Sequence, residues 1–410
     1  MRNRPQIVIL GAGYAGLCTA HRLQKKVKPG NAMITLVDRR SYHVNNISLH
    51  EVALGNALAQ DVSYDLVPVV REPHARVLQA EVISIDLEKQ VVHTSAEDLE
   101  YDYLVIALGF VTETFGIKGM EEHAFHIENF IQSEAISRHI EDRFRDYAFT
   151  ESLRRNPLDL SIIVGGSGFT GVELLGEMVD RIPLLCKKYG ISQSLVNIRC
   201  VSADKKFLPM FTDKQAKYIM DYLSDGGVDF YMDAMISEAT PNSFKFTNRN
   251  GEQEFKANTL IWTGGVSGSP LMKETFGDAV RRGRLVVNQD LTAPGHENVF
   301  VIGDVAAFIS KGSDHPEGTT AQIATQMGTA TADNIARTLA HRPRHDFVFK
   351  NSGTVCSLGA RHGLASVYGF TITGFLAMRL KKFVETLTDY KISGLYNAIK
   401  HTRLFKLINF

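Results

Sequence analysis

The sequence predicts an α/β chain built from two copies of one strand–turn–helix design, the second inserted into the first. Two observations carry this. The runs "IVILGAGYAGLCTAHRL" and "LSIIVGGSGFTGVELLGEM" each join a short β-branched stretch to GxGxxG and then to a helical pattern, with glycines at Gly11, Gly13, Gly16 and at Gly166, Gly168, Gly171. Later apolar runs also end in glycine: "YDYLVIALGF" at Gly109, "TLIWTGGV" at Gly264 and Gly265, and "NVFVIGDVAAF" at Gly303. Such runs read as buried parallel strands whose C-terminal ends face a ligand. In each GxGxxG one glycine makes the tight turn, one admits a pyrophosphate and one lets helix pack on strand, while the helix N-terminus favours the anion. One copy is weak support; two in context indicate two Rossmann-like dinucleotide-binding domains.

The first unit continues into "MITLVDRR", where Asp38 stands at the strand end, about where a carboxylate grips a ribose. Two stretches, "ARVLQAEVISIDLEKQVVHT" and "FKFTNRNGEQEFKANT", read as hairpins, the second with an NG turn signal. The second unit runs on to "IRCVSADKK", with Ser202 where a ribose-reading acid is expected. The expected organisation is a first domain over 1–115 and 285–346, an inserted domain over 116–284, and a C-terminal region over 347–410.

Length and composition fit several domains of an ordinary globular chain: 410 residues with a formal charge of zero. No whole-molecule field would collect nucleic acid. Cys18, Cys186, Cys200 and Cys356 are scattered, without CxxC or a metal-like cluster, which suits a reducing compartment and predicts no metal site. The N-terminal apolar run Ile7–Leu10 is too short for a signal peptide, and no run approaches the roughly 18 apolar residues of a spanning helix.

With both glycine motifs and "VFVIGD" the chain resembles the flavoproteins with two dinucleotide-binding domains. Within that superfamily it is similar, over nearly its whole length, to the type II NADH:quinone oxidoreductases. The matching runs are "ILGAGYAGL", "YH" at Tyr42–His43, "LHE" at Leu49–Glu51, "ALGFVTETFGI", "VGGSGFTGVELLGE", "LPMF", "VFVIGD" and "TTAQIATQ"; "RIPLLCKKYG" and "GTVCSLG" also have this look. The paired redox cysteines of disulfide reductases and sulfide:quinone oxidoreductases are missing: Cys18 has no partner nearby, and nothing recommends Cys186 or Cys200 as a partner for Cys356.

The resemblance implies FAD on the first unit, held by Gly11, Gly13, Gly16, Asp38, Arg39, Val82, Gly109, Gly303, Asp304 and Ala321. It implies a nicotinamide nucleotide on the second, at Gly166, Gly168, Gly171, Ser202 and Gly265. Hydride passes from NADH to FAD and two electrons go on to a membrane quinone, menaquinone or ubiquinone, without proton pumping. Glu173, in the first turn of the second glycine-loop helix, is the expected catalytic carboxylate, and burial moving it toward neutrality would suit a proton relay. Helix-dipole preference alone also places acids there. Gln322 and Ile323 of "AQIATQ" are expected to line the quinone channel, Gln322 with its amide; "HPEGTTAQ" departs from the family by setting its proline earlier. Lys382 is expected near the quinone mouth, with Lys381 the open alternative. Closely similar members carry glutamate at the place of Ser202, so relaxed selectivity is expected, with NADPH accepted alongside NADH through Lys205 and Lys206. Asp204 pulls the other way.

From Phe370 onward seven basic residues face two acidic ones among many large apolar side chains, the pattern of an interfacial segment on anionic lipid. A final helix packed on the body with a solvated basic face is the plainer alternative. The expected location is the cytoplasmic face of a cell membrane, peripherally, with a homodimer compatible with the resemblance. Two competing functions are an NAD(P)H reductase serving a protein partner and an NADH-responsive flavoprotein like apoptosis-inducing factor. Both would want an acidic-partner patch or a long regulatory insertion, and neither is visible.

Overall fold

Two parallel sheets organise the computed structural model, which describes residues 4–71 and 73–400. In the first sheet the strand Gln6–Leu10 lies between Met33–Asp38 and Tyr103–Ile106, pairing parallel with both. Ala75–Gln79 extends it on one side and His296–Val301 on the other, and Thr292–Ala293 closes the edge antiparallel. The second sheet orders Val228–Tyr231, Asn197–Val201, Ser161–Gly165 and Thr259–Trp262, all parallel. Ser161–Gly165 is buried along its whole length, so its apolar run is continuous rather than alternating.

Both glycine loops are shaped by close backbone approach. Gly11 has φ +97°, and a Cβ there would lie 2.2 Å from the Ala107 carbonyl oxygen. Gly166, at φ +109°, would bring a Cβ to 2.7 Å from the Gly264 Cα. Helices Tyr14–Lys26 and Phe169–Tyr189 follow directly. The first packs on Ala321–Leu339 so tightly that a Cβ at Gly328 would meet the Ala15 carbonyl oxygen at 2.4 Å.

The first expected hairpin divides in the structure. Ala75–Gln79 joins the parallel sheet, and Val82–Asp86 instead pairs with Val91–Thr94, which continues to Asp98–Glu100. Ala75–Gln79 pairs residue for residue with the parallel strand Met33–Asp38, which takes it out of the ribbon. The second hairpin forms as expected, Ser243–Asn248 with Gly251–Lys256, and gains a third strand, Met235–Thr240.

The C-terminal region begins with three antiparallel strands, Thr354–Ser357, Gly363–Val367 and Phe370–Thr373. Helices Gly374–Ser393 and Leu395–Lys400 follow. The longer helix reverses the polarity expected of a packed amphipathic helix. Lys381, Lys382, Glu385 and Asp389 are buried against the body, while Leu376, Phe383, Val384, Leu387 and Tyr390 are exposed. The basic residues expected to face lipid therefore divide: Lys381 and Lys382 turn inward, and Lys391 and Lys400 stay outside. Arg403, Lys406 and the apolar residues from Leu404 to Phe410 lie outside the described residues. No helix among the described residues is long and apolar enough to cross a membrane.

Candidate active site

The centre of the site is a seam between four segments: the helix Phe169–Tyr189, the short helix Leu49–Ala53, the strand Thr354–Ser357 and the C-terminal helix. A close contact makes the seam possible. A Cβ at Gly176 would lie 2.6 Å from the Leu358 Cα, so only glycine lets the strand Thr354–Ser357 reach the helix carrying Glu173. Glu173 Oε1 accepts hydrogen bonds from the Ser357 amide at 2.9 Å, the Ser357 hydroxyl at 2.9 Å and Lys381 Nζ at 2.7 Å. Lys381 Nζ also donates to Ser357 Oγ at 2.7 Å. His50 Nδ1 stands 3.8 Å from Glu173 Oε2.

Charge in this seam follows from burial and pairing. Burial is the largest influence on Glu173 and pushes its carboxyl up. The Lys381 ammonium, with the hydrogen bonds from Lys381 and Ser357, outweighs it and holds the group below the usual carboxylate range. The structure thus departs from the expectation of a Glu173 moved toward neutrality: it stays ionised because a cation is buried with it. Burial also works against the Lys381 ammonium, but Glu173 and Glu385 keep its pKa above the ordinary lysine value. His50 is held neutral, pushed down to about 4 by burial.

Lys382 sits beside this cluster, not in it. Its Nζ donates to Glu51 Oε1 at 2.7 Å and to Glu385 Oε2 at 3.0 Å. Of the two lysines left open by the sequence, Lys381 is the one on Glu173.

The first glycine loop fits a dinucleotide's pyrophosphate. Gly13 precedes its helix with no side-chain cap, and a Cβ there would meet nothing within 4 Å. Asp38 Oδ2 accepts the Ala12 amide at 2.7 Å, and His43 Nδ1 donates to the Ala12 carbonyl at 2.7 Å, so "YH" braces the loop. Gly303 lies against Ala15, where a Cβ would come to 3.2 Å. Burial pushes the Asp304 carboxyl up against the pull of Arg284, and Asp304 accepts no hydrogen bond from any described residue. Asp304 is half-buried, so its carboxylate stays open to the hydroxyls of a cofactor chain, and these residues suit FAD. Gly109, at φ +71°, follows the strand Tyr103–Ile106; Arg39 is exposed, Val82 half-buried, and Ala321 begins its helix.

The second loop has the same open face at Gly168. At its strand tip Ser202 is buried, and the nearby carboxylate comes from Asp204. Ser202 Oγ donates to Asp204 Oδ2 at 3.1 Å, and Ser167 Oγ donates to Ser202 Oγ at 2.9 Å and to Asp204 Oδ2 at 3.4 Å. Lys206 pairs with Asp213 at 2.9 Å. A Cβ at Gly265 would lie 2.9 Å from Phe115 Cζ.

Gln322 and Ile323 begin the helix Ala321–Leu339, with Ile323 buried. Both ends of the Gln322 amide hold main chain: Nε2 donates to the Gly353 carbonyl at 3.4 Å, and Oε1 accepts the Ser352 amide at 3.0 Å. Gln326 grips Lys350 in the same way. The loop before this helix is tied by Arg284, which donates to the Ala306 and Glu317 carbonyls.

The sequence reading missed His50 and Ser357 as partners of Glu173. "LHE" and "GTVCSLG" carried them as family runs without a role. All four cysteines are free and buried, and burial, then Glu173, drive the Cys356 thiol well above its usual value. Thiol chemistry finds no activated group here.

Comparisons with known proteins bear on the family and the fold. Residues 5–328 match the pyridine nucleotide-disulphide oxidoreductase family. A type II NADH:quinone oxidoreductase of Staphylococcus saprophyticus is 45% identical over 399 residues, covering 97% of this chain and 98% of the relative. Its namesake from Staphylococcus aureus is also 45% identical, over the same shares. Among solved structures, NDH2 from Plasmodium falciparum in complex with NADH superposes with a TM-score of 0.88 at 18% identity, covering 100% of this chain and 99% of that one. Extended over 97% of its length by relatives of one name, the chain belongs to the pyridine nucleotide-disulphide oxidoreductases and, within them, to the type II NADH:quinone oxidoreductases.

Proposed function

We propose that the protein oxidises NADH and delivers two electrons to a quinone drawn from a membrane surface, with FAD as its resident cofactor and without pumping protons. One observation carries the reading. The buried Glu173–Lys381 pair lies where the second glycine-loop helix meets a C-terminal helix with an apolar outer surface. A site for a soluble nucleotide and a surface suited to lipid thus meet at one charged cluster.

When bound, FAD supplies hydride acceptance and onward transfer of two electrons. The chain's own residues do the rest. The loop Gly11–Gly16 and Asp304 hold the cofactor, and the loop Gly166–Gly171 with Ser202 and Asp204 holds NADH. Lys381 Nζ keeps a proton at 2.7 Å from Glu173 Oε1, and Ser357 Oγ bridges the two. Burial of both side chains excludes water, which strengthens the pair's field on any substrate brought against it. Gln322 fixes the main chain at 352–353 and, with Ile323, walls the expected quinone path. Leu376, Phe383, Leu387, Tyr390, Leu395 and Tyr396 form the lipid-facing surface, with Lys391 and Lys400 for anionic headgroups. The proposed location is peripheral, on the cytoplasmic face.

The test is NADH oxidation by the purified yellow holoprotein with and without menaquinone and ubiquinone analogues. Quinone-dependent turnover is expected. Flavin reduction by NADH with no quinone reduction would overturn the reading in favour of a protein-partner reductase.

A further inference from the structure

One buried acid near the site has no part in the scheme above. Glu177 lies one helical turn beyond Glu173, on the same face of the helix Phe169–Tyr189, and is 2% exposed. Its Oε2 accepts a hydrogen bond from Asn56 Nδ2. A glutamine would serve Asn56 equally well, so hydrogen bonding alone does not require an acid.

The charged groups around it come from three segments. Glu51 and Asn56 belong to the short helix Leu49–Ala53 and the turn after it, and Lys381 and Lys382 to the C-terminal helix. Glu173 and Arg181 flank it on its own helix, with Arg181 turned to Glu141 at 3.2 Å. Both lysines are already engaged by other carboxylates: Lys381 by Glu173 at 2.7 Å, Lys382 by Glu51 at 2.7 Å and Glu385 at 3.0 Å. Glu177 is thus an acid buried where three carboxylates, Glu51, Glu173 and Glu385, already outnumber the two lysines.

Quinone reduction has a proton requirement that such a group can meet. NADH gives up a hydride, equivalent to two electrons and one proton. A quinone takes two electrons and two protons to become a quinol. The second proton comes from solvent and has to cross the protein layer over the site.

We propose that Glu177 is the proton reservoir of quinone reduction, holding one proton at rest and yielding it toward the Glu173–Lys381 pair at each turnover. The inference rests on the quinone-reductase reading above. Burial, then the charge of Glu51, pushes the Glu177 carboxyl up to about 8, so it carries its proton at neutral pH. Refilling is assigned to water beside Lys382, whose charge acts on Glu177 and which also borders a cavity. A cavity of about 20 Å³ is bordered there by Ser48, Asp61, Tyr64, Lys382, Glu385 and Asp389. It has room for a water with several polar partners, and Glu385 Oε1 has no hydrogen-bond partner among the described residues. Asp61, half-buried, marks its outer side.

The experiment compares wild type, Glu177→Gln and Glu51→Gln as FAD-loaded proteins. NADH-driven flavin reduction is followed anaerobically, and kcat for a soluble quinone analogue is measured from pH 6 to 9. The wild-type quinone rate should fall as pH rises through about 8. Glu177→Gln should keep its flavin and its rate of reduction by NADH, lose about tenfold in quinone turnover at neutral pH, and lose that falling limb. Glu51→Gln removes the negative neighbour and should move the limb to lower pH, a shift that a merely structural role would not produce. A Glu177→Gln protein with the wild-type quinone rate and pH profile overturns the reservoir, as does a limb that Glu51→Gln leaves in place. Wild-type protein that reduces no quinone overturns the underlying reading instead.

Discussion

Lys381→Met tests whether Glu173 is ionised because Lys381 is buried with it. The two side chains are 8% and 10% exposed and lie 2.7 Å apart. Removing one partner of a buried pair costs about 3–5 kcal/mol, since the other charge is left in a poor solvent. The sign of the pH dependence makes the test sharp. In the wild type the Glu173 carboxyl lies below its unfolded value of about 4.3, so its stabilisation is present above that pH and fades as pH falls through the depressed value. Without Lys381, burial becomes the ruling influence and the carboxyl rises above its unfolded value. Stability from that group is then full in acid and falls as pH rises, the reverse of the wild type. Adding Glu173→Gln removes the stranded charge, and the double variant should regain most of the loss. The assay is thermal release of flavin fluorescence from the holoproteins between pH 3 and 8. A single variant with the wild-type pH trend, or a double variant whose loss equals the sum of the singles, would refute the reasoning.

Four further outcomes are expected. Asp204→Asn should raise kcat/KM for NADPH relative to NADH by roughly tenfold, about 1.4 kcal/mol, because it removes the carboxylate next to Ser202 that repels a 2′-phosphate; an unchanged ratio would place the ribose reader elsewhere. The wild type should accept both nucleotides, and a preference for NADH of about a thousandfold, roughly 4 kcal/mol, would count against it. Asp304→Ala should lower flavin retained through gel filtration, since the carboxylate without a protein donor is read as a cofactor contact; full retention would remove that role. Phe383→Glu with Leu387→Glu should weaken co-sedimentation with anionic vesicles by tenfold or more, about 1.5–3 kcal/mol for each apolar side chain withdrawn from lipid, while reduction of soluble acceptors persists. Undiminished sedimentation would locate the lipid contact elsewhere.

The glycine loops were legible in the sequence because their constraints are local. Gly11 and Gly16, or Gly166 and Gly171, meet each other across a single turn, and their spacing records that contact. The pairing of Glu173 with Lys381 is written nowhere locally, because 208 residues separate them. The inward turn of the C-terminal helix did leave a trace: Lys381, Lys382, Glu385 and Asp389 recur at helical spacing on one stripe. The spacing alone does not turn that stripe inward, because charged stripes ordinarily face water. Only the carboxylates waiting on the body, Glu51 and Glu173, show why this one does not. At "IRCVSADKK" the strand was placed correctly, but the fold of the tip back onto Ser167 depends on a turn that composition does not specify.

Chain order gives the buried pair a consequence for synthesis. At about 5–20 residues per second, roughly 10–40 s pass between the ribosome's addition of Glu173 and of Lys381. During that interval the parallel core can close, yet its carboxylate has no counter-ion and must stay wet or take up a proton. Docking of the C-terminal helix therefore expels water from a partly finished interior and sets the charge state of the site at the same moment. The proposed quinone site and the last stage of folding are completed by one event.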